Sequence, residues 1–281
     1  MKKVAIITDS SAYLPQDIVD SLDIHIVPLT LHWEDESYRD GVDIHAEAFY
    51  ERLAESETIP TTSQTTVGEF NTLFKSLLDQ DYAVFAMLIS SGISGTVESA
   101  LQSKKNFPDA PLEVMDTQLV SMALGFMVMA VARVAKNGAS LEECKALAKS
   151  LYPKIGVYFT VDTLKYLNKG GRINTAKRLL GSALNIKPIM EIRDGKIELL
   201  ESVISRKKAI QRMLDLVKRD IEDAKDVMIS TFHAAADKDC QFLMAQAVER
   251  FEPVETVMTF VSPVIGSHVG PGTLSIAYMK V

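Results

Sequence analysis

Tyr82-Ala83-Val84-Phe85-Ala86-Met87-Leu88-Ile89, running straight into Ser90-Ser91-Gly92-Ile93-Ser94-Gly95-Thr96, decides the fold. The apolar run has the length of a buried strand and is too short for a buried helix. The polar, glycine-bearing stretch ends it, and Gly95–Lys105 reads as a helix. An all-apolar strand that feeds directly into a helix belongs to a parallel sheet covered on both faces.

Working outward, the N-terminal half repeats that alternation. Val4–Thr8 reads as a buried strand, Pro15 opens a helix to about Leu22, and Ile24–Trp33 alternates like one strand. Asp40-Gly41 signals a turn, and His45–Ala54 a helix. Thr58–Thr66 is polar and turn-like, before a helix with Phe70, Leu73, Phe74, Leu77 and Leu78 on one face. Leu112–Met115 is a further strand. Leu119–Ala132 is apolar all round apart from Ser121, too short to span a bilayer, and reads as a helix buried on every side. Gly138 closes it, and Ser140 with Glu143 forms a capping box for the next helix.

Pro153 and Gly156 then punctuate the chain, which places a boundary between an N-terminal α/β domain, 1–155, and a C-terminal domain, 156–281. In the second, Lys187–Ile192 and Lys196–Val203 flank Asp194-Gly195, a hairpin signal. Helices over Ser205–Asp220 and Lys238–Phe251 alternate with strands over Asp226–Phe232, Glu255–Val261 and Thr273–Tyr278. That texture predicts an α+β domain with a mixed or antiparallel sheet.

Composition narrows the function classes. The 281 residues are 47% hydrophobic and 24% charged, as in a folded globular chain. A net charge of −7 argues against nucleic acid or an anionic membrane surface as the main partner. Cys144 and Cys240 lack CxxC spacing and fit buried thiols in a reducing, cytoplasmic setting. The apolar run after Lys2 and Lys3, Val4–Ile7, is too short for a signal peptide. His25, His32, His45 and His233 have no metal-ligand spacing with one another, and neither G-x-S-x-G nor a P-loop is present.

What remains is a set of polar segments at the ends of apolar runs. They are Thr8-Asp9-Ser10-Ser11, Thr61-Thr62-Ser63-Gln64, Ser90–Thr96, Lys169-Gly170-Gly171-Arg172 and the glycine-rich loop Gly266–Gly272 with His268. Each has an ordinary structural use: Ser94 as a helix cap, the threonines as a polar loop, the glycine pair as a helix end, Arg206 on a solvated basic face. Together they supply hydroxyls, backbone N–H groups, arginine and histidine, an inventory for a small anion. In open parallel sheets ligands bind at the carboxyl ends of strands, which puts Ser10, Thr62 and Ser94 on one edge.

In this order and separation the segments resemble the DegV family of bacterial fatty-acid-binding proteins. The resemblance runs from Thr8-Asp9-Ser10-Ser11 through Thr62-Ser63-Gln64, Ser90–Thr96 and Leu167–Ile173 to His268-Val269-Gly270-Pro271-Gly272. Thr65 stands where the family commonly has proline. The resemblance implies two domains with a long-chain fatty acid between or within them near their junction. Its carboxylate would be held by Thr62 and Ser94, supported by Thr61, Ser63, Gly95 and Ser10. Arg172, Arg206 and His268 would line a polar mouth facing phosphate. It further implies a binding subunit without cofactor, metal or catalytic residue, which presents the acid to an ATP-binding fatty acid kinase subunit and carries the acyl phosphate to phospholipid synthesis. A buried acyl chain gains about 0.8 kcal/mol per CH₂ and needs an apolar tunnel, for which Met122, Phe126, Met127 and Met129 are candidate lining. Two other readings fit the residues: an enzyme on a small carboxylated or phosphorylated metabolite using His268 and Arg172, and a regulatory domain for another acidic or hydrophobic ligand.

Overall fold

The computed structural model describes residues 2–181 and 186–281. The chain opens with β1 (Val4–Asp9), α1 (Gln16–Leu22), β2 (Ile24–Val27), β3 (Thr30–Trp33), β4 (Glu36–Arg39), α2 (Ala46–Glu55) and β5 (Thr61–Ser63). It continues through α3 (Val67–Asp79), β6 (Ala83–Leu88), α4 (Thr96–Lys104), β7 (Leu112–Asp116), α5 (Ser121–Lys136) and α6 (Leu141–Leu151). Then come β8 (Ile155–Thr160), α7 (Lys165–Lys169), β9 (Ile186–Arg193), β10 (Lys196–Ile204) and α8 (Arg206–Asp220). The chain ends with β11 (Val227–His233), α9 (Asp237–Phe251), β12 (Glu255–Phe260), α10 (Pro263–Val269) and β13 (Leu274–Lys280).

Among the described residues the strands form three sheets, ordered β2-β1-β6-β7, β10-β9-β8-β13-β11-β12 and β4-β3-β5. The first is parallel throughout, and its inner strands β1 and β6 are buried at every position, as the apolar runs require. The second is mixed: only β11 and β12 run parallel. The α/β and mixed-sheet architecture expected from the sequence is therefore the one observed.

Helix α5 joins the two larger sheets. It packs on β1 from one side and on β8 and β13 from the other. Met122, Phe126, Met127 and Met129 are fully buried, and Gly138 at φ +93° ends the segment. One continuous cluster of buried side chains consequently runs from Val4 to Met279. Among the described residues no helix is long and apolar enough to cross a membrane.

In the parallel sheet the chain leaves β1 for β2 on one side and reaches β6 on the other. The carboxyl ends of β1 and β6 thus form the switch point where such sheets bind ligands. Here Asp9 fills it. Its Oδ2 accepts the Ile89 N–H at 2.7 Å, and its Oδ1 accepts from the Ser11 amide at 3.1 Å and hydroxyl at 2.5 Å. Any ligand is displaced toward the loop that follows β6.

Several expectations need correction. Ile24–Trp33 is two strands in different sheets, because Pro28 has no N–H for a ladder and breaks the run between β2 and β3. Thr58–Thr66 includes strand β5, which pairs with β3 so that Thr62 stands opposite Leu31. Gly156 does not punctuate; it lies inside β8, where a Cβ would come 2.5 Å from Tyr278 Oη. The segment around His268 is not a loop up to Val269, since α10 covers it, with Pro263 in its first turn. Gly266 lets that helix approach α2: a Cβ there would meet Tyr50 Oη at 2.5 Å and Phe49 Cε1 at 2.8 Å.

Alanine at a helix interior normally outranks glycine by up to about 1 kcal/mol. At Gly266 the sign should reverse. Urea unfolding of Gly266→Ala should show a loss of about 1–3 kcal/mol from overpacking against Phe49 and Tyr50; a stabilised variant would show that α10 is not seated on α2 in this way.

Candidate functional site

Beyond the switch point, β5, the β6–α4 loop, the start of α5, α10 and strands of the six-stranded sheet surround a cavity of about 350 Å³. That lies in the range of small-molecule sites. Its walls are apolar where Val157, Phe159, Ile192 and Phe232 face it, and polar where Thr62, Ser94, Arg172 and His268 gather. A second recess of about 300 Å³ shares Ser94, Gly95 and Arg172 with it and adds Ser91, Gly171 and Asn174.

Thr62 reaches the site because β5 ends beside α10. Its Oγ1 lies 2.7 Å from His268 Nε2, across 206 residues of sequence. The other ring nitrogen, Nδ1, is buried without a partner and faces Gly170, where a Cβ would come within 2.1 Å. A proton on Nδ1 would be a buried, unpaired donor, so the proton is assigned to Nε2, donating to Thr62. The Thr62 hydroxyl hydrogen is then free to point at a ligand. Burial, with the Arg172 charge adding to it, lowers the His268 pKa to about 4, so the ring is neutral at pH 7.

Ser94 is released from capping. The N-cap position of α4 is Gly95, with no side-chain cap, and Ser94 Oγ lies 2.9 Å from Thr96 Oγ1. Gly95 allows Gln64 to close over the helix start, with Gln64 Nε2 donating to Ser99 Oγ at 2.8 Å. Arg172 is positioned by backbone carbonyls: Nε donates to Ile93 O at 3.2 Å and Nη1 to Gly170 O at 2.5 Å. Among the described residues no carboxylate pairs with it, so its charge is available to an anion.

The structure thus brings together Thr62, Ser63, Ser94, Gly95, Arg172 and His268 around the cavity. Ser63 is also held by His32 Nε2 at 2.8 Å. It does not bring in three others. Ser10 donates to Asp40 Oδ2 at 2.7 Å, accepts the Leu29 N–H, and does not line the cavity. Thr61 is exposed on the sheet of β5. Arg206 is tied to Asp239 Oδ2 at 2.7 Å and to the Gly272 carbonyl at 2.7 Å, and does not line the cavity. The methionines and Phe126 of α5 are core and do not line this cavity. Sequence reasoning missed Tyr13, Ser121 and Ser275, all cavity-lining; their only signal was a hydroxyl inside an apolar run or at its end.

A group that is neutral when folded but protonated near pH 6.5 when unfolded costs stability as pH falls. The native state should therefore lose about 3 kcal/mol relative to His268→Gln between pH 6.5 and 4. NMR titration should give His268 a pKa of about 4, raised in Arg172→Gln; a ring that titrates near 6.5 would contradict the burial described.

Residues 3–281 match the family profile described as "Uncharacterised protein, DegV family". A DegV domain-containing protein of Listeria monocytogenes is 33% identical over 99% of this chain and 98% of its own. A Thermus thermophilus DegV family protein, described by its fatty acid binding, superposes with TM-score 0.94 at 30% identity, over 99% of this chain and 100% of that one. Bacillus subtilis DegV, described as a fatty acid binding protein, superposes with TM-score 0.91 at 30% identity, with both chains covered in full.

Proposed function

The chain belongs to the DegV family, and from that premise and the site's geometry we propose that it binds a long-chain fatty acid and presents its carboxylate to a separate ATP-binding kinase subunit. One observation carries the reading: an apolar cavity whose polar end presents two hydroxyls, Thr62 held by His268 and Ser94 held by Thr96, beside an arginine with no acidic partner among the described residues. An anionic head with an apolar body matches that division.

The carboxylate accepts hydrogen bonds from Thr62 and Ser94, with His268 fixing the direction of the first. Neutral donors hold the head group without neutralising it, so its oxygens stay nucleophilic. The polar recess bordered by Ser94, Gly95 and Arg172 is where the phosphate would arrive, and phosphoryl transfer depends chiefly on positioning and charge stabilisation. Arg172 is the residue of this chain that faces the developing charge. Arg206, bound to Asp239, has no part in this reading.

In this reading the lipid sits between residues 1–155 and 156–281, which is supported by cavity-lining residues drawn from both parts. Burial pushes the Cys240 thiol up to about 11 and raises that of Cys144, which fits two inert thiols in the cytoplasm. The acyl phosphate formed would be passed on to phospholipid synthesis. A stand-alone enzyme using His268 is disfavoured by the ring's burial: with a pKa of about 4 it is a weak base at pH 7 and is not the imidazolium a general acid requires.

Organic-solvent extraction of the purified protein, read by mass spectrometry, should yield a long-chain fatty acid; water-soluble metabolites alone would sink the reading. Thr62→Ala or Ser94→Ala should weaken palmitic acid binding by about 10- to 100-fold, the worth of a hydrogen bond to a charged group. Arg172→Gln should keep binding within about 3-fold and cut kinase-dependent acyl phosphate formation by at least 10-fold, on the order of what one lost charge contact is worth. Equal losses in both assays would refute the separation of roles.

A further inference from the structure

Ser121 is the outlier of the cavity wall. It opens α5, where the following residues Met122, Ala123 and Leu124 are apolar and fully buried. The residue is only 5% exposed and lines the cavity, and among the described residues its Oγ has no hydrogen-bond partner. A buried hydroxyl left unpaired destabilises a protein where alanine would not. The backbone holds it in place at φ +62°, a strained conformation for a residue with a β-carbon. Val120 at the N-cap position supplies no side-chain cap to the first turn of α5.

Tyr13 lies beside it. One turn along the same helix face, a Cβ on Gly125 would come 2.7 Å from the Ala12 carbonyl, so the Ala12–Tyr13 segment runs beside the start of α5. Tyr13 is 6% exposed and lines the cavity, and its hydroxyl end lies toward Ser262 and the Asp40 carboxylate. Of the non-glycine residues with positive φ, Tyr13 and Ser121 are the two that line the cavity.

We propose that Ser121 forms a polar subsite inside the cavity that receives an oxygen substituent on the acyl chain, so that chain-hydroxylated long-chain acids are ligands of this protein. The inference rests on the carrier reading above. It is separate from the head-group cluster, which is built from β5, the β6–α4 loop and α10. An unsubstituted chain leaves the Ser121 hydroxyl unpaired or with a trapped water; a hydroxyl at the right carbon accepts from Ser121.

The test compares stearic acid with hydroxystearic acids whose hydroxyl is moved along the chain, by competition against a fluorescent fatty acid. At least one isomer should bind as tightly as stearic acid or tighter. Ser121→Ala should weaken that isomer by about 5- to 100-fold, the effect of removing a buried hydrogen-bond partner. Stearic acid itself should change by less than about 2-fold in the same variant. Ser121→Gly, which suits the positive φ, should give the same selective loss should the alanine disturb the turn. Uniform weakening of every hydroxylated isomer in wild type, or equal loss for stearic and hydroxystearic acids in both variants, overturns the subsite and leaves the carrier reading intact. Binding of neither class overturns both.

Discussion

The rest of the structure depends on the burial of α5 from both sides. A helix with no polar face gains nothing from one partner sheet, because its far side would remain in water. Packing it between the parallel sheet and the strands β8 and β13 removes that surface and makes one core of two halves. The consequence for function is geometric. The N-terminal end of α5 borders the cavity through Val120 and Ser121, so elements from both sheets reach the same space. Asp9, buried where a ligand of such a sheet would ordinarily lie, moves the open volume to the loop after β6.

Electrostatics then divides that volume. His268 is desolvated and next to a guanidinium, so it stays neutral and serves Thr62 as an oriented donor. The Arg172 guanidinium is fixed by two carbonyls, those of Ile93 and Gly170. A neutral clamp beside a fixed cation suits a head group that must be held and yet remain reactive. Were His268 cationic, the carboxylate would be paired with it and less able to attack.

The periodic parts of this fold were legible because they are local. The apolar runs of β1 and β6, the Asp194-Gly195 hairpin and the Ser140–Glu143 capping box were read from neighbouring residues and are present. Pairings across long separations were not. Thr62 and His268 meet only because β5 pairs with β3 and α10 packs beside it, and β5 itself reads as a polar turn. Cavity walls were unreadable for another reason: Val157 or Phe159 facing a ligand is written like Met127 facing the core. The lining was therefore sought on α5, while strands of the six-stranded sheet supply it.

The glycines carry a related lesson. Gly95 and Gly170 look like places where the backbone makes room for a ligand. A Cβ at Gly95 would strike Gln64 Oε1 at 2.1 Å, and one at Gly170 would strike His268 Nδ1 at 2.1 Å. Both make room for protein side chains that build the site. Gly170 in particular lets the backbone press on the imidazole, which excludes water from Nδ1 and holds the pKa down. A short glycine motif thereby sets the protonation state of a histidine about a hundred residues away in sequence, and through it the direction of the Thr62 hydroxyl. The motif is recognisable in the sequence, but its physical purpose appears only once the partner of each missing side chain is known.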